Sequence, residues 1–511
     1  MYGGKAVDYV LTIVVGWLAW KLVRFIWKRE EHKRIFADIP LLCHHWFWGI
    51  TEEVKSVNDL TMLAQRFVEK TGAKWFSTWL LFLEPAVFPC HPDIFRAVYS
   101  AIDVRKRHGW AGPYRMFAAW AGEGLLTSNG KKWERNRRLL TPAFHFDILK
   151  SYVNVYNTTT SIFMDKIGQA TSDGKSVDVY PYISRATLDT MLRCGMSYVD
   201  PSVQNDGNQH PYVSAVHRLG ALLFERLLKP VLYWDFIYYN MTAEGKEFRK
   251  YCDKVHQFAD EIILDRRRSI KAQTSDECTK RKRHLDFLDI LITARDDAGL
   301  ALTDKEIREE VDTFLFAGHD TTASAISWCL YSLGLHPGVQ DAVRDEIEAI
   351  LPGDEQPTSE IITQLQYTTC VIKEVLRFFS PVPAQSRILA RPLTMEGKTF
   401  PAGQIIDIQQ NALHHNPAVW GDDHNEFKPE RFLPENSVNR DPFAFLPFAA
   451  GQRNCIGQHF AMNEIKTFVA SVVKRFTLKV DRDRTAVPIA EITTRAKDGI
   501  YLHFLERKSS V

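Results

Sequence analysis

The stretch Phe448-Ala-Ala-Gly451-Gln-Arg453-Asn-Cys455-Ile-Gly457 constrains this chain more than any other part of it. Two glycines bracket a cysteine, and an arginine stands two residues before it. Gly451 lets the chain turn where a Cβ would strike a flat group, and Gly457 opens the following helix close to that group. N–H groups in the first turn of that helix point back at the sulfur, stabilise a thiolate and tune the electron density it gives away. Arg453 adds a fixed cation suited to a carboxylate. The pattern reads as a loop, with Phe448 at its start, that offers the Cys455 thiolate to a haem iron while Arg453 meets a haem propionate. A thiolate axial ligand favours O–O cleavage. The alternative, a buried structural cysteine, requires Phe, Gly, Arg, Cys and Gly to fall into register by chance. The other seven cysteines (Cys43, Cys90, Cys194, Cys252, Cys278, Cys329, Cys370) have no such setting and read as structural.

The 511 residues contain no Pro/Gly/Ser-rich linker and no internal repeat, so one large domain is expected. The 64 basic side chains against 62 acidic ones leave a formal charge of +2, which argues against a nucleic-acid partner. No Cys-x-x-Cys pair and no cleavable secretory signal are present, and free thiols in a reducing compartment are expected. The pairs His44-His45 and His414-His415 lack further ligands at metal spacing and read as ordinary loop histidines.

Residues 9–27 are largely apolar, close to the ~20 residues of a membrane-spanning helix. Lys21 and Arg24 lie near the end of the stretch, where long stems carry charge to the headgroups, and Trp17, Trp20 and Trp27 suit an interface. Lys28, Arg29, Lys33 and Arg34 follow, against only Lys5 before, which places the C-terminal side in the cytosol. The expectation is an anchor with a basic flank over residues 1–34 and a catalytic domain over 35–511, with an interfacial or a buried core helix as the alternatives.

Short β-like runs occur at 75–83, 387–389, 405–409 and 500–505, and helical periodicity dominates between the first and second. Polar loops are expected at 200–211, 268–284 and 351–360. The fold class is therefore mainly α with small β-sheets. Thr303-Asp-Lys-Glu306 is a capping box, and the helix after it runs without proline to His336. Its centre reads Phe316-Ala-Gly-His-Asp-Thr-Thr322. Gly318 costs ~1 kcal/mol against alanine in mid-helix, and Asp320 stands in an apolar stretch; both call for a reason. Oxygen activation supplies one. Ala317 and Gly318 leave room for O2, and Asp320 with Thr321 relays protons. A kinked core helix with back-bonded threonines is the competing reading.

These stretches together resemble the cytochrome P450 monooxygenases, and the resemblance covers nearly all of the chain after residue 70. Further motifs agree. Glu374-Val-Leu-Arg377, with Arg431 in Pro429-Glu-Arg-Phe432, is similar to the family's structural acid–base arrangement behind the cysteine loop. Trp133 and Arg137, four apart on one helical face, and Arg387 stand where the family contacts haem propionates. Lys131, Lys132, Arg135 and Arg138 could equally face an acidic electron donor. The resemblance implies the P450 fold, haem b, electrons from NADPH through a separate flavoprotein reductase, cytochrome b5 as a further partner, and an endoplasmic reticulum membrane location. It also places channel-lining residues at 114–126, 222–239, 382–383 and 490–493.

Leu140-Thr-Pro-Ala-Phe-His-Phe-Asp-Ile-Leu149, Glu310-Val-Asp-Thr-Phe314 and Asn454-Cys-Ile-Gly-Gln458 look like family 4, which includes many fatty-acid ω-hydroxylases. That branch often carries glutamate, able to bind the haem covalently, where this chain has Ala317. The expected activity is ω or ω−1 hydroxylation of a fatty acid. The alternatives are a monooxygenase of sterols or terpenoids, an isomerase of lipid peroxides, and a catalytically silent haem- or lipid-binding protein. An isomerase has no use for the Asp320–Thr321 relay, and the intact set of motifs argues against a silent binder.

Overall fold

The computed structural model describes residues 2–507 apart from 44–48, 51–52, 81–83, 102–103, 107–111, 205–209, 275–285, 297–298 and 354. The helices of the first half are α1 (Tyr2–Phe36), α2 (Val57–Thr71), α3 (Pro92–Ser100), α4 (Pro113–Ala121), α5 (Gly130–Leu140), α6 (Phe146–Ala170), α7 (Tyr180–Met196), α8 (Pro211–Leu227) and α9 (Asp235–Met241). They continue as α10 (Ala243–Thr274), α11 (Phe287–Thr293), α12 (Asp304–Leu335), α13 (Pro337–Ile350), α14 (Ser359–Gln364), α15 (Gln366–Phe378), α16 (Gln410–His414), α17 (Pro417–Trp420), α18 (Pro434–Ser437) and α19 (Gln458–Arg475). Their starts follow local chemistry. Proline in the first turn of α3, α4, α7, α8 and α13 removes an N–H that would have no partner there.

Helix α12 organises the rest. Thr303 accepts from Glu306 N, and the Glu306 side chain reaches back to the Thr303 backbone, so the expected capping box is present. At about 1.5 Å per residue the helix is close to 50 Å long. Helices α7, α10, α15 and α19 pack around it, which is why the stripe it buries runs round its whole circumference rather than along one face.

Strands β1 (Trp75–Leu80), β2 (Glu84–Pro89), β3 (Val104–Lys106), β5 (Ala384–Leu389) and β8 (Ile405–Gln409) form one sheet in the order β1-β2-β8-β5-β3. Strands β4 (Val177–Asp178), β9 (Phe476–Val480) and β12 (Tyr501–Glu506) form a second, ordered β4-β12-β9. Two hairpins remain, β6 (Leu393–Met395) with β7 (Lys398–Phe400), and β10 (Pro488–Ala490) with β11 (Thr494–Ala496). The first turns through Glu396 and Gly397, both at positive φ, as a two-residue hairpin of matching twist requires. The β-like runs thus fall on strands, although residues 81–83 lie outside the described ones.

Two expectations need correction. Residues 268–274 are not loop but the last turns of α10; the rest of that basic stretch lies outside the described residues. His414 ends α16, and with His415 it is buried rather than on an open loop. Its Nε2 accepts from Leu446 N at 3.0 Å, so Nδ1–H donates to Ser380 Oγ at 2.8 Å, a structural bridge to the segment before the cysteine loop. His44-His45 lies outside the described residues.

The N-terminal segment is helical, but among the described residues no helix is long and apolar enough to cross a membrane. Lys21 and Arg24 interrupt the run; they stack on Trp17 and Trp20, with Lys21 Nζ 5.1 Å from the Trp17 ring centroid. Ile13, Trp17, Leu22, Val23 and Trp27 are exposed. The far end of α1 is docked: Phe36 is buried and meets Phe400 edge to face at 5.7 Å.

Behind the cysteine loop, Glu374 and Arg377 are completely buried and joined by two parallel hydrogen bonds of 2.7 Å. Arg377 also donates to the carbonyls of His414, His424 and Glu426, and Glu374 accepts from Lys428 N. Arg431 joins at 3.5 Å, as the third partner expected from the sequence. One guanidinium thus ties α15 to α16 and to the segment leading into the cysteine loop.

Candidate functional site

The cysteine loop is shaped by backbone hydrogen bonds. Cys455 N donates to Phe448 O at 2.9 Å and Asn454 N to Gly451 O at 3.2 Å, which closes a tight arch over residues 448–455. Gly451 lies at φ 69°, and a Cβ there would fall 2.6 Å from the Tyr99 carbonyl. The glycine is thus required by the Tyr99 carbonyl of α3, packed against the arch. Ala449 adopts φ 57°, a left-handed conformation that costs a non-glycine residue about 1–2 kcal/mol. Ala449→Gly is therefore expected to stabilise the protein by about 0.5–1 kcal/mol after the extra chain entropy of glycine. Gly451→Ala should destabilise it by more than that. Denaturant midpoints of the two variants check both signs.

Cys455 is exposed, unlike the other described cysteines. Burial pushes its pKa up, while the Gly457 N–H and the Arg137 guanidinium pull it back toward the thiolate. Gly457 caps α19, as the sequence suggested, and a Cβ there would make only ordinary contact with Phe144 at 3.8 Å. The protein's own packing therefore does not demand glycine at that position.

Helix α5 braces the loop. Arg137 donates to Asn454 O at 2.9 Å and to Asn454 Oδ1 at 2.8 Å, clamping the residue before the thiol. Trp133 is buried, and the Arg453 guanidinium lies 4.2 Å from its ring centroid. Arg453 also donates to Ser128 O at 3.0 Å and Asn129 Oδ1 at 3.2 Å. Arg387, buried on β5, donates to Tyr114 Oη at 3.2 Å and to Gln385. It lies beside Tyr99, whose carbonyl faces Gly451. Lys132 and Arg135 of the basic cluster are engaged by Glu309 and Glu306 of α12.

Between Val311 and Leu333, Ala317, Gly318 and Thr321 are the positions of α12 that are not buried. Thr321 Oγ1 donates to Ala317 O at 2.7 Å, which turns its lone pairs outward. A Cβ on Gly318 would run into the Met191 side chain of α7, so this glycine also serves helix packing. Asp320 projects from the flank. Tyr180 Oη and Arg495 Nη2 reach its Oδ1 at 2.8 and 2.7 Å, and Thr493 Oγ1 reaches Oδ2 at 2.7 Å. Burial alone would raise its pKa, but Arg495 above all, with His319, His217 and Thr493, holds it well below the usual carboxylate range. The sequence pointed to Asp320 but not to these partners, because Arg495 lies on a strand 175 residues away and carries no local signal.

The channel candidates are brought together in part. Arg115 donates to Tyr233 O and Asp235 Oδ2, linking 114–126 to 222–239, and Ile492 abuts Gly220 of α8.

An accessible cysteine backed by a helix N-terminus, walled by three arginines and accompanied by a small-residue opening in a long buried helix fits a haem held by sulfur. Comparison with known proteins agrees. The cytochrome P450 family profile matches residues 40–503, so the chain belongs to the cytochrome P450 family. It is 38% identical over 483 residues to cytochrome P450 4A2 of Rattus norvegicus, covering 94% of this chain and 92% of the relative. Cytochrome P450 4A11 of Homo sapiens is 38% identical over 484 residues, at 94% and 91% coverage. The taurochenodeoxycholic 6 alpha-hydroxylase of Sus scrofa is 43% identical over 391 residues, at 76% and 77% coverage. The protein is a haem-thiolate monooxygenase that acts on lipids and draws electrons from NADPH through a reductase partner.

Proposed function

We propose that this enzyme hydroxylates a fatty acid at or next to its terminal methyl, with Cys455 as the residue whose sulfur would hold the haem iron. The observation that carries the assignment of Cys455 is its accessible thiol, backed by the Gly457 N–H and Arg137. A haem so held supplies O2 binding and its reductive activation. Arg453, Arg387 and Trp133 would hold its edge, and Arg137 fixes the loop through Asn454. Ala317, Gly318 and Thr321, the positions of this stretch that are not buried, would line the side on which a bound haem takes up O2, with the Thr321 hydroxyl held by Ala317 O. Asp320 supports this segment as a carboxylate and joins proton relay when a contact to Arg495 opens. Residues 1–34 tether the enzyme to the endoplasmic reticulum membrane with the catalytic domain on the cytosolic side, and cytochrome b5 serves as an additional electron donor.

Terminal attack is a positioning task, because the primary C–H bond is the stronger one and the chain must be held so that only its end arrives. Ala317 offers no carboxylate to tie the haem covalently, so the site is held less rigidly. The expected product is ω alcohol with appreciable ω−1 alcohol. Mass spectrometry of incubations with reductase, NADPH and fatty acids of graded length checks this; ω alcohol alone would contradict it. A second reading, a steroid-type substrate, is favoured by the 43% identity to the taurochenodeoxycholic 6 alpha-hydroxylase, and bile acids belong in the same substrate panel.

A further inference from the structure

Buried polar atoms without partners gather at one end of the larger sheet. Strands β5 and β8 are antiparallel there, with Ser386 opposite Asp407 and Ala384 opposite Gln409, so these side chains share a face. Ile405 lies on the same face and clusters with Ala64 and Val68 of α2. Gln409 Nε2 donates to Asp407 Oδ1 at 2.9 Å, which fixes the amide and leaves its Oε1 as the acceptor. Gln409 Oε1, Ser386 Oγ and, on α2, Thr61 Oγ1 are buried and have no hydrogen-bond partner among the described residues. Gln410, next in the chain, is 1% exposed, and neither of its amide atoms has a partner among them. Leaving such groups unmatched costs more than an ordinary hydrogen bond returns, so ordered water or a ligand meets them.

Hydrogen bonds connect this corner to the open segment of α12. Thr61 stands between two fixed points of α2: Asn58 Oδ1 accepts from Ala490 N at 3.0 Å, and Gln65 Oε1 accepts from Asn411 Nδ2 at 2.6 Å. Asn411 N in turn donates to Pro383 O at 3.4 Å. From Pro383 the chain leads back to α12, because Thr494 donates to Ser380 O and Pro381 O, and its own carbonyl accepts from Ser324 Oγ at 2.6 Å. Ser324 is one helical turn beyond Thr321. We propose that the corner is the head-group subsite of the lipid, built for an uncharged head that both donates and accepts, a hydroxyl or a carboxamide. Thr61, Ser386 and the Gln410 amide supply donors, and the amide oxygens of Gln409 and Gln410 supply acceptors. A carboxylate only accepts, so it leaves Gln409 Oε1 facing oxygen, with Asp407 next to it. Alternation along β5 turns the Arg387 guanidinium to the other face, where it meets Gln385 and Tyr114. The head is therefore recognised by dipoles rather than by charge. The inference rests on the fatty-chain reading above and extends it to the alcohols and amides of the same chains, with the free acid as the weaker ligand.

The test is equilibrium dialysis of the holoenzyme at neutral pH against one saturated chain length, offered as free acid, methyl ester, alcohol and primary amide. Alcohol and amide should bind about ten-fold tighter than acid and ester. Gln410→Leu, which keeps the volume and removes the amide, should erase that preference by weakening alcohol and amide alone. Ser386→Ala, a smaller change, should reduce it in the same direction. Both variants should leave the ligand-free denaturant midpoint unchanged or higher, because each deletes a buried group that the protein does not itself satisfy. Equal affinity for all heads in the wild type, a preference that survives both variants, or a loss shared by all the ligands would overturn the proposal. Chains that are hydroxylated without any head preference would sink the subsite and leave the fatty-chain reading intact. If instead no chain binds and a bile acid is turned over, the fatty-chain reading fails, and the same comparison between that acid and its primary amide decides the subsite.

Discussion

Cys455→Ala is expected to abolish lipid hydroxylation and to remove the spectral signature of a thiolate-bound ferrous carbon monoxide complex. The thiol is the accessible sulfur of the described cysteines; Cys43, Cys90, Cys194, Cys252, Cys329 and Cys370 are all buried. No other described thiol is therefore accessible to replace it. Arg137→Ala should have a smaller effect of about 10–100-fold on activity, because Arg137 acts by clamping Asn454 and by drawing the Cys455 sulfur toward its charged form. The carbon monoxide difference spectrum of each variant, normalised to haem content, separates the two effects. A thiolate spectrum that survives Cys455→Ala would refute the ligand assignment.

Removing one partner of the Glu374–Arg377 pair should be the most damaging change outside the loop, at about 3–5 kcal/mol. Neither side chain is exposed, so deleting one leaves a charge with no access to water. Arg377→Ala also strands the carbonyls of His414, His424 and Glu426, and Glu374→Gln gives up the second 2.7 Å contact and weakens the hold on Lys428 N. Arg377→Lys should rescue little, because a single ammonium cannot span a bidentate carboxylate and three carbonyls. The measurement is the denaturant midpoint together with the haem-loaded fraction after expression. A loss below about 1 kcal/mol in Arg377→Ala would show that the segment leading into the cysteine loop is held by other contacts.

Local grammar made much of this legible. The Thr303–Glu306 box, the strands at 75–80 and 405–409 and the arch around Cys455 each depend on residues close in sequence. The reasons behind several residues were not legible. Gly451 and Gly318 stood out as glycines, but the atoms that require them, Tyr99 O and the Met191 side chain, come from distant helices. Arg137 was read for a propionate, yet its visible partner is Asn454, one residue from the thiol. Asp320 and Glu464 are both acids on apolar helices, and sequence alone could not show that burial pushes the pKa of Glu464 up while partners converging after folding, Arg495 above all, pull that of Asp320 down.

The N-terminal helix shows the limit of a pattern that two forces share. Its apolar length suggests a span, while Lys21 and Arg24 within it hold their charges over Trp17 and Trp20. Flotation of the full chain with vesicles, against a variant lacking residues 1–34, tests the proposed tether.

Monooxygenation of a lipid by a haem held at Cys455, as proposed, is tested by mass spectrometry of the product formed with reductase, NADPH, a fatty acid and isotopically heavy O2. A single heavy oxygen atom in the alcohol, absent with Cys455→Ala, is the predicted result. Alcohol whose oxygen comes from water, or a rearranged lipid peroxide formed without NADPH, would contradict it.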